Sequence, residues 1–286
     1  MSILVIGSTG TIGTHVVESL ARRGADVTAL IHKNKGKFPH NVKTVKGDTT
    51  DADSMRAALT GINTVFLLNP VVADELNRAL LVLNVTQEFG IKRLVYFSMF
   101  HSDVFLDCPH ANAKYATELM IERFGLSTTI LRPNYFFQND GKPVVELGVY
   151  PEPIGSVGVT MVDARDIAEI AAISLIRRDQ SPDALPTERI EIHGPDVVTS
   201  QSAVALWSEV LGRNIAYLGD DLRAAEKANL KLGLPSAMAY DVVGMFRGFQ
   251  RDGMVGSPVE VKKVAALLGR PQRTYREYAE EAAKGF

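Results

Sequence analysis

The run Ile3-Leu4-Val5-Ile6 is unbroken in its apolar character and passes directly into Gly7-Ser8-Thr9-Gly10-Thr11-Ile12-Gly13, after which Ile12, Val16, Val17 and Leu20 recur at helical spacing. A strand buried on both faces needs continuous apolar residues. The turn that follows needs glycine wherever the backbone takes positive φ or passes close to a ligand. Gly7 fits the turn, Gly10 the close approach, and Gly13 the contact of helix against strand. With those side chains missing, main-chain N–H groups at the helix start face a ligand, and the helix dipole adds partial positive charge there. A second run, Asp26-Val27-Thr28-Ala29-Leu30-Ile31, follows Gly24 and completes a strand-helix-strand unit of the length that a dinucleotide-binding turn requires. The pattern predicts a diphosphate seat built from Gly7, Thr9, Gly10, Thr11, Ile12 and Gly13.

Turn signals and apolar runs alternate through the first half of the chain, which is the pattern of an α/β fold with a Rossmann-like, doubly wound parallel sheet. Strands are expected near 2–7, 26–31, 42–46, 63–68, 92–98, 127–132 and 188–193, with helices near 11–23, 52–60, 73–90, 110–125 and 164–178. Val65-Phe66-Leu67-Leu68 and Leu94-Val95-Tyr96-Phe97 lack alternation and belong at the sheet centre. After His193-Gly194-Pro195 the pattern turns mostly helical, over 200–211, 221–232, 236–249, 259–268 and 275–283. The expected division is a dinucleotide-binding domain over 1–150, joined by a strand and a helix from about 160–194, and a smaller, mostly helical C-terminal α/β region over 151–286 that walls a substrate cleft.

A formal charge of −2 and the lack of any basic block argue against a nucleic-acid surface. No 18-residue apolar stretch is present to span a membrane, and the N-terminal run is too short for a signal peptide. The single cysteine, Cys108, excludes an internal disulfide and points to a reducing compartment, so the expected location is cytoplasmic. The expected partner is a small-molecule substrate, with the chain a monomer or homodimer.

An NAD-specific site places Asp or Glu near the end of the second strand to hold the adenosine ribose. Here Ile31-His32-Lys33-Asn34-Lys35 stands there. No carboxylate repels a 2′-phosphate, and His32, Lys33 and Lys35 can pair with one, so NADP(H) is favoured over NAD(H). Asp48, after the third strand, can accept from an adenine amino group, or serve as a helix N-terminal carboxylate. Asn69 and Pro70 close the fourth strand on the edge that faces a cofactor in this topology.

Ser98 closes the fifth strand and can orient substrate or nicotinamide. His110-Ala111-Asn112-Ala113-Lys114 opens the next helix, and residues four apart share one helix face. Short-chain dehydrogenases of the common type carry Tyr-x-x-x-Lys at this place. The tyrosine is missing here, and Tyr115, about 100° round the helix from Lys114, cannot replace it. Two other groupings carry no chemistry: His101, Asp103, Asp107 and His110 lack regular metal-ligand spacing, so no metal is expected, and Asp163, Arg165 and Asp166 read as a helix start with a local ion pair.

The glycine turn, Gly47-Asp48, the His110/Lys114 pair, Thr129-Ile130-Leu131-Arg132-Pro133, Asp163-Ala164-Arg165-Asp166-Ile167-Ala168 and Leu211-Gly212-Arg213 together resemble the NmrA-like branch of the atypical short-chain dehydrogenases/reductases, over nearly the whole chain. The resemblance implies a Rossmann domain that binds NADP(H) or NAD(H), Lys114 on the nicotinamide ribose, His110 in place of the usual tyrosine as proton donor, and Arg132-Pro133-Asn134 along the nicotinamide pocket. It implies an NADP(H)-dependent oxidoreductase reducing a small apolar carbonyl, quinone or conjugated substrate by hydride transfer. Phe136, Phe137, Trp207, Met245 and Phe246 are candidate apolar walls of the cleft, and core packing explains each of the aromatics equally well. The alternative it leaves open is a non-catalytic redox sensor that holds NAD(P)(H) and acts on a protein partner.

Overall fold

The computed structural model describes residues 2–33 and 36–285. Its elements are, in chain order, β1 (Ile3–Val5), α1 (Thr11–Arg22), β2 (Val27–Ile31), β3 (Lys43–Lys46), α2 (Ala52–Leu59), β4 (Thr64–Leu67), α3 (Glu75–Glu88), β5 (Arg93–Phe97), α4 (Pro109–Arg123), β6 (Ser127–Pro133), a 3-10 turn (Phe137–Asn139), α5 (Gly141–Leu147), β7 (Val149–Tyr150), α6 (Ala164–Gln180), β8 (Glu188–Ile192), α7 (Ser200–Leu211), β9 (Ala216–Tyr217), α8 (Leu222–Lys231), α9 (Ser236–Arg251), α10 (Pro258–Leu268) and α11 (Tyr275–Ala283).

Every residue of β1 and β4 is buried, as the unbroken apolar runs require of strands covered on both faces. The main sheet runs β3-β2-β1-β4-β5-β6-β8. Ile3 pairs with Val27 on one side and Thr64 on the other, both in parallel register, and β4-β5 and β5-β6 are parallel as well. This is the α/β, Rossmann-like fold expected from the sequence. Strand order reverses direction at β1/β4, and ligands of doubly wound sheets sit at the carboxyl ends of the strands beside that point. Leu4, Ile6, Val65, Leu67, Leu94 and Tyr96 from the sheet pack with Met55, Leu59, Val82 and Ile121 from the helices in one apolar core. At about 25 cal/mol per Å² of buried apolar surface, such layers supply the main driving force for folding.

The chain packs as two compact units. One comprises the residues up to Met99, Ala113–Arg132 and Ile167–Ile190; the other comprises Phe100–Asn112, Pro133–Asp166 and the residues from Glu191 onward. The second unit contains a small parallel sheet, β7 with β9, that the sequence pattern did not show. Among the described residues, no helix is long and apolar enough to cross a membrane.

Candidate cofactor and reaction site

Gly7 adopts φ +80, and a Cβ there would lie 2.6 Å from the Leu68 carbonyl oxygen. Gly13 is tighter still, since its Cβ would meet the Gly7 carbonyl oxygen at 2.0 Å. These two glycines are required by the protein itself. Gly10 is different: the nearest atom to its missing Cβ is 3.5 Å away, an ordinary contact. Thr9, Gly10 and Thr11 are exposed, whereas Ile12 is buried in the core. Gly10 is the N-cap of α1, where among the described residues no side chain caps the first amides and no acidic residue stands in the first turn. Ser8 faces inward, its Oγ donating to the Leu30 carbonyl at 2.6 Å and tying the loop to β2.

At the ends of β2 and β3, His32 and Lys33 are exposed. The Asp48 carboxylate accepts from both the amide and the hydroxyl of Thr50, at 2.9 and 2.7 Å, bonds that hold its carboxyl below the usual range. Its second oxygen lies 3.8 Å from His32 Nδ1. Lys35 lies outside the described residues.

At the end of β4, Asn69 is buried and Pro70 exposed. Asn69 Nδ2 donates to the Glu75 carbonyl at 3.4 Å. Glu75, the first residue of α3, is buried and accepts from Lys114 Nζ at 2.6 Å; the lysine is itself only 5% exposed. Two buried acceptors beside this pair, Glu75 Oε2 and Asn69 Oδ1, have no partner among the described residues. Nothing local in the sequence marks Glu75, which stands 39 residues from the lysine it binds.

His110 is also buried, and it meets Asp241 of α9. Asp241 Oδ1 accepts from the His110 amide at 3.0 Å and faces His110 Nδ1 at 2.8 Å. Burial alone would raise the Asp241 carboxyl, but the hydrogen bonds and charge of His110 bring it below the ordinary range. The pairing assigns a ring proton to Nδ1, and the Cys108 sulfur lies against the same ring edge, 3.3 Å from Nδ1 and 3.9 Å from Nε2. Cys108 Sγ, His110 and Asp241 place one donor atom each within 4.8 Å of one another. The short Nδ1–Oδ1 distance makes the group a hydrogen-bonded cluster. Burial pushes the Cys108 thiol up to about 12, so it stays protonated.

Ser98 is fully buried and its Oγ donates to Glu118 Oε1 at 2.5 Å. Glu118 also forks with Arg132, through Nε at 3.0 Å and Nη2 at 2.7 Å. Ser98 and Arg132 are thereby committed to a buried carboxylate, the arrangement that makes an enclosed charge tolerable. Asn134 spends its amide on Thr160 and the Met254 carbonyl, at 2.9 and 2.7 Å. Trp207 and Phe137 are fully buried. Trp207 donates to the Tyr275 hydroxyl at 2.8 Å, and Phe137 packs on Tyr275 and Tyr278. These two aromatics form core in the second unit, which is the packing role open to them beside that of ligand walls. Asp163 pairs with Arg165 as expected, at 2.7 Å, but Asp166 turns to Arg270 and Arg273 instead.

A doubly wound sheet with an uncapped, glycine-lined helix start at its switch point defines the Rossmann class of nucleotide-binding folds. The sequence profile of the NmrA-like family matches residues 1–279, and the chain belongs to that family. It is 28% identical to an NAD(P)H azoreductase of Xenophilus azovorans, over 99% of both chains. Among solved structures it resembles an NADPH-dependent quinone oxidoreductase from Escherichia coli complexed with NADPH, with a TM-score of 0.81, 21% identity and coverage of 98% and 99%. It also resembles the Citrobacter sp. triphenylmethane reductase complexed with NADP(H), with a TM-score of 0.80, 17% identity and the same coverage.

Proposed function

We propose that this protein is an NADP(H)-dependent reductase of small, electron-poor conjugated compounds, with quinones, carbonyls and azo compounds as the substrate class. The observation that carries this reading is Gly10: the folded chain has room for a side chain there, so the bare backbone at an exposed, uncapped helix start is explained by a ligand that must come close. A diphosphate fits, because the donors are amides and no carboxylate stands in the first turn to oppose it. His32 and Lys33 then suit a 2′-phosphate. The relatives bearing the names azoreductase, quinone oxidoreductase and triphenylmethane reductase support the same chemistry.

Bound here, a reduced nicotinamide would supply hydride. Lys114 would hold the sugar next to it, and His110, four residues earlier on α4, would carry a second proton on Nε2 for the step and deliver it to the substrate oxygen or nitrogen as the electron pair arrives. Asp241 is the positioning residue, fixing the ring through Nδ1–H. Ser98 contributes indirectly by holding Glu118. The lone, buried Cys108 suits a reducing cytoplasmic setting.

The test is calorimetric titration with NADPH and NADH, followed by absorbance assays of NADPH oxidation with a panel of quinones, aldehydes and azo dyes. Binding of NADPH in preference to NADH with turnover of a panel member is the expected result. His110→Ala should then lower kcat about a hundredfold or more while leaving the NADPH Kd within about threefold. Saturable binding with no turnover across the panel would overturn the reductase and favour a sensor.

A further inference from the structure

We propose that Glu75 is a sugar-reading residue: its unpartnered Oε2, together with Asn69 Oδ1, accepts hydroxyl protons from the ribose that Lys114 contacts. The inference rests on the dinucleotide reading above and extends it to a residue outside the glycine turn and the helix α4 pair. Glu75 and Asn69 are 3% and 4% exposed, and each keeps a buried oxygen with no donor among the described residues. A carboxylate has about four lone-pair sites, and leaving one oxygen dry and unpaired forfeits its hydration with nothing in return. A structural role would satisfy both oxygens, as Glu118 is satisfied by Ser98 and Arg132.

The contacts form a continuous path along the carboxyl edge of the sheet. Gly7 lies against the Leu68 carbonyl; Asn69 is the next residue and reaches Glu75; Glu75 reaches Lys114. The strands follow in the same sequence, β1 then β4 then β5. A ligand that rests its diphosphate on the glycine turn and extends across the switch point meets two acceptors and then an ammonium. An anionic group is repelled by Glu75. A vicinal diol fits, because each hydroxyl both donates, to Glu75 or Asn69, and accepts, from Lys114.

Three ligands resolve which part of the dinucleotide Glu75 meets: NADPH, 2′-phospho-ADP-ribose, which keeps the second ribose but lacks nicotinamide, and 2′,5′-ADP, which lacks both. Glu75→Gln should weaken NADPH and 2′-phospho-ADP-ribose by about ten- to a hundredfold and leave 2′,5′-ADP within about twofold, the range expected when a hydrogen bond to a charged group is lost. Glu75→Asp, with the charge kept but drawn back, should show a smaller loss confined to the same two ligands. Unchanged NADPH affinity in both variants overturns the proposal. So does an equal loss for all three ligands, which reports a disturbed turn, and so does a loss for NADPH alone, which assigns Glu75 to the carboxamide. If the unmodified protein binds none of the three, the dinucleotide reading itself has failed, and this proposal goes with it.

Discussion

Three glycines in one turn make separable demands. A Cβ at position 13 has to displace the Gly7 carbonyl from 2.0 Å. Gly13→Ala should therefore lower stability by about 1–3 kcal/mol, read as a fall in the urea midpoint. Gly10→Ala should leave that midpoint nearly unchanged and reduce NADPH affinity by at least about tenfold. Equal effects on stability from the two variants would contradict the assignment. Asp241 offers a second test at this scale, since its carboxyl is held low by His110. Its stabilising contribution is present above the ordinary carboxylate range and is lost as pH falls through its lowered value. Asp241→Asn should remove that acid-side loss and cut kcat by about ten- to a hundredfold, with the NADPH Kd unmoved. His110 and Lys114 were legible in the sequence because their four-residue spacing is local. Asp241 and Glu75 were not, because they lie 131 and 39 residues from their partners and only the folded chain brings them together.

At the scale of elements, strands and helices buried on one or both faces announced themselves through apolar period, and the main sheet follows the expected runs. The stretch from the 3-10 turn through β7 did not. Gly141 and Pro143, poor helix formers, stand in the first turn of the short α5, and a two-residue strand is too short to show alternation. This stretch holds an enclosed acid cluster. Asp140, at the start of α5, is fully buried and accepts from the Tyr150 hydroxyl at 3.3 Å and from Tyr275. Burial, then the nearby Glu152 charge, hold its carboxyl well above the ordinary range. Burial likewise pushes Glu152 up to about 7 from an ordinary 4.5, with the Tyr135 hydroxyl offsetting part of the rise. A carboxyl that keeps its proton longer when folded stabilises below its unfolded value and loses that stabilisation as pH rises through the folded one. Thermal stability should accordingly decline between about pH 4.5 and 7 through this group, by roughly 3 kcal/mol. Glu152→Gln should flatten that slope in melts run across the window. A slope that persists in the variant would place its origin elsewhere.

For the whole molecule, ligand binding and folding are linked. NADPH at about one hundred times its Kd should add about 2.7 kcal/mol and raise Tm by several degrees, measured by calorimetry. NADH at the same concentration should raise it less if His32 and Lys33 favour the extra phosphate. Identical shifts would remove the basis for that preference. The chain passes from one unit to the other between residues 99 and 100, 112 and 113, 132 and 133, 166 and 167, and 190 and 191. Neither half therefore corresponds to a contiguous stretch of coding sequence. Protease nicking at a single exposed loop should not liberate a stable fragment, and grafting either half onto a foreign scaffold would require several splice points at once. Inheritance of this architecture is all or nothing, with the whole polypeptide as its smallest exchangeable piece.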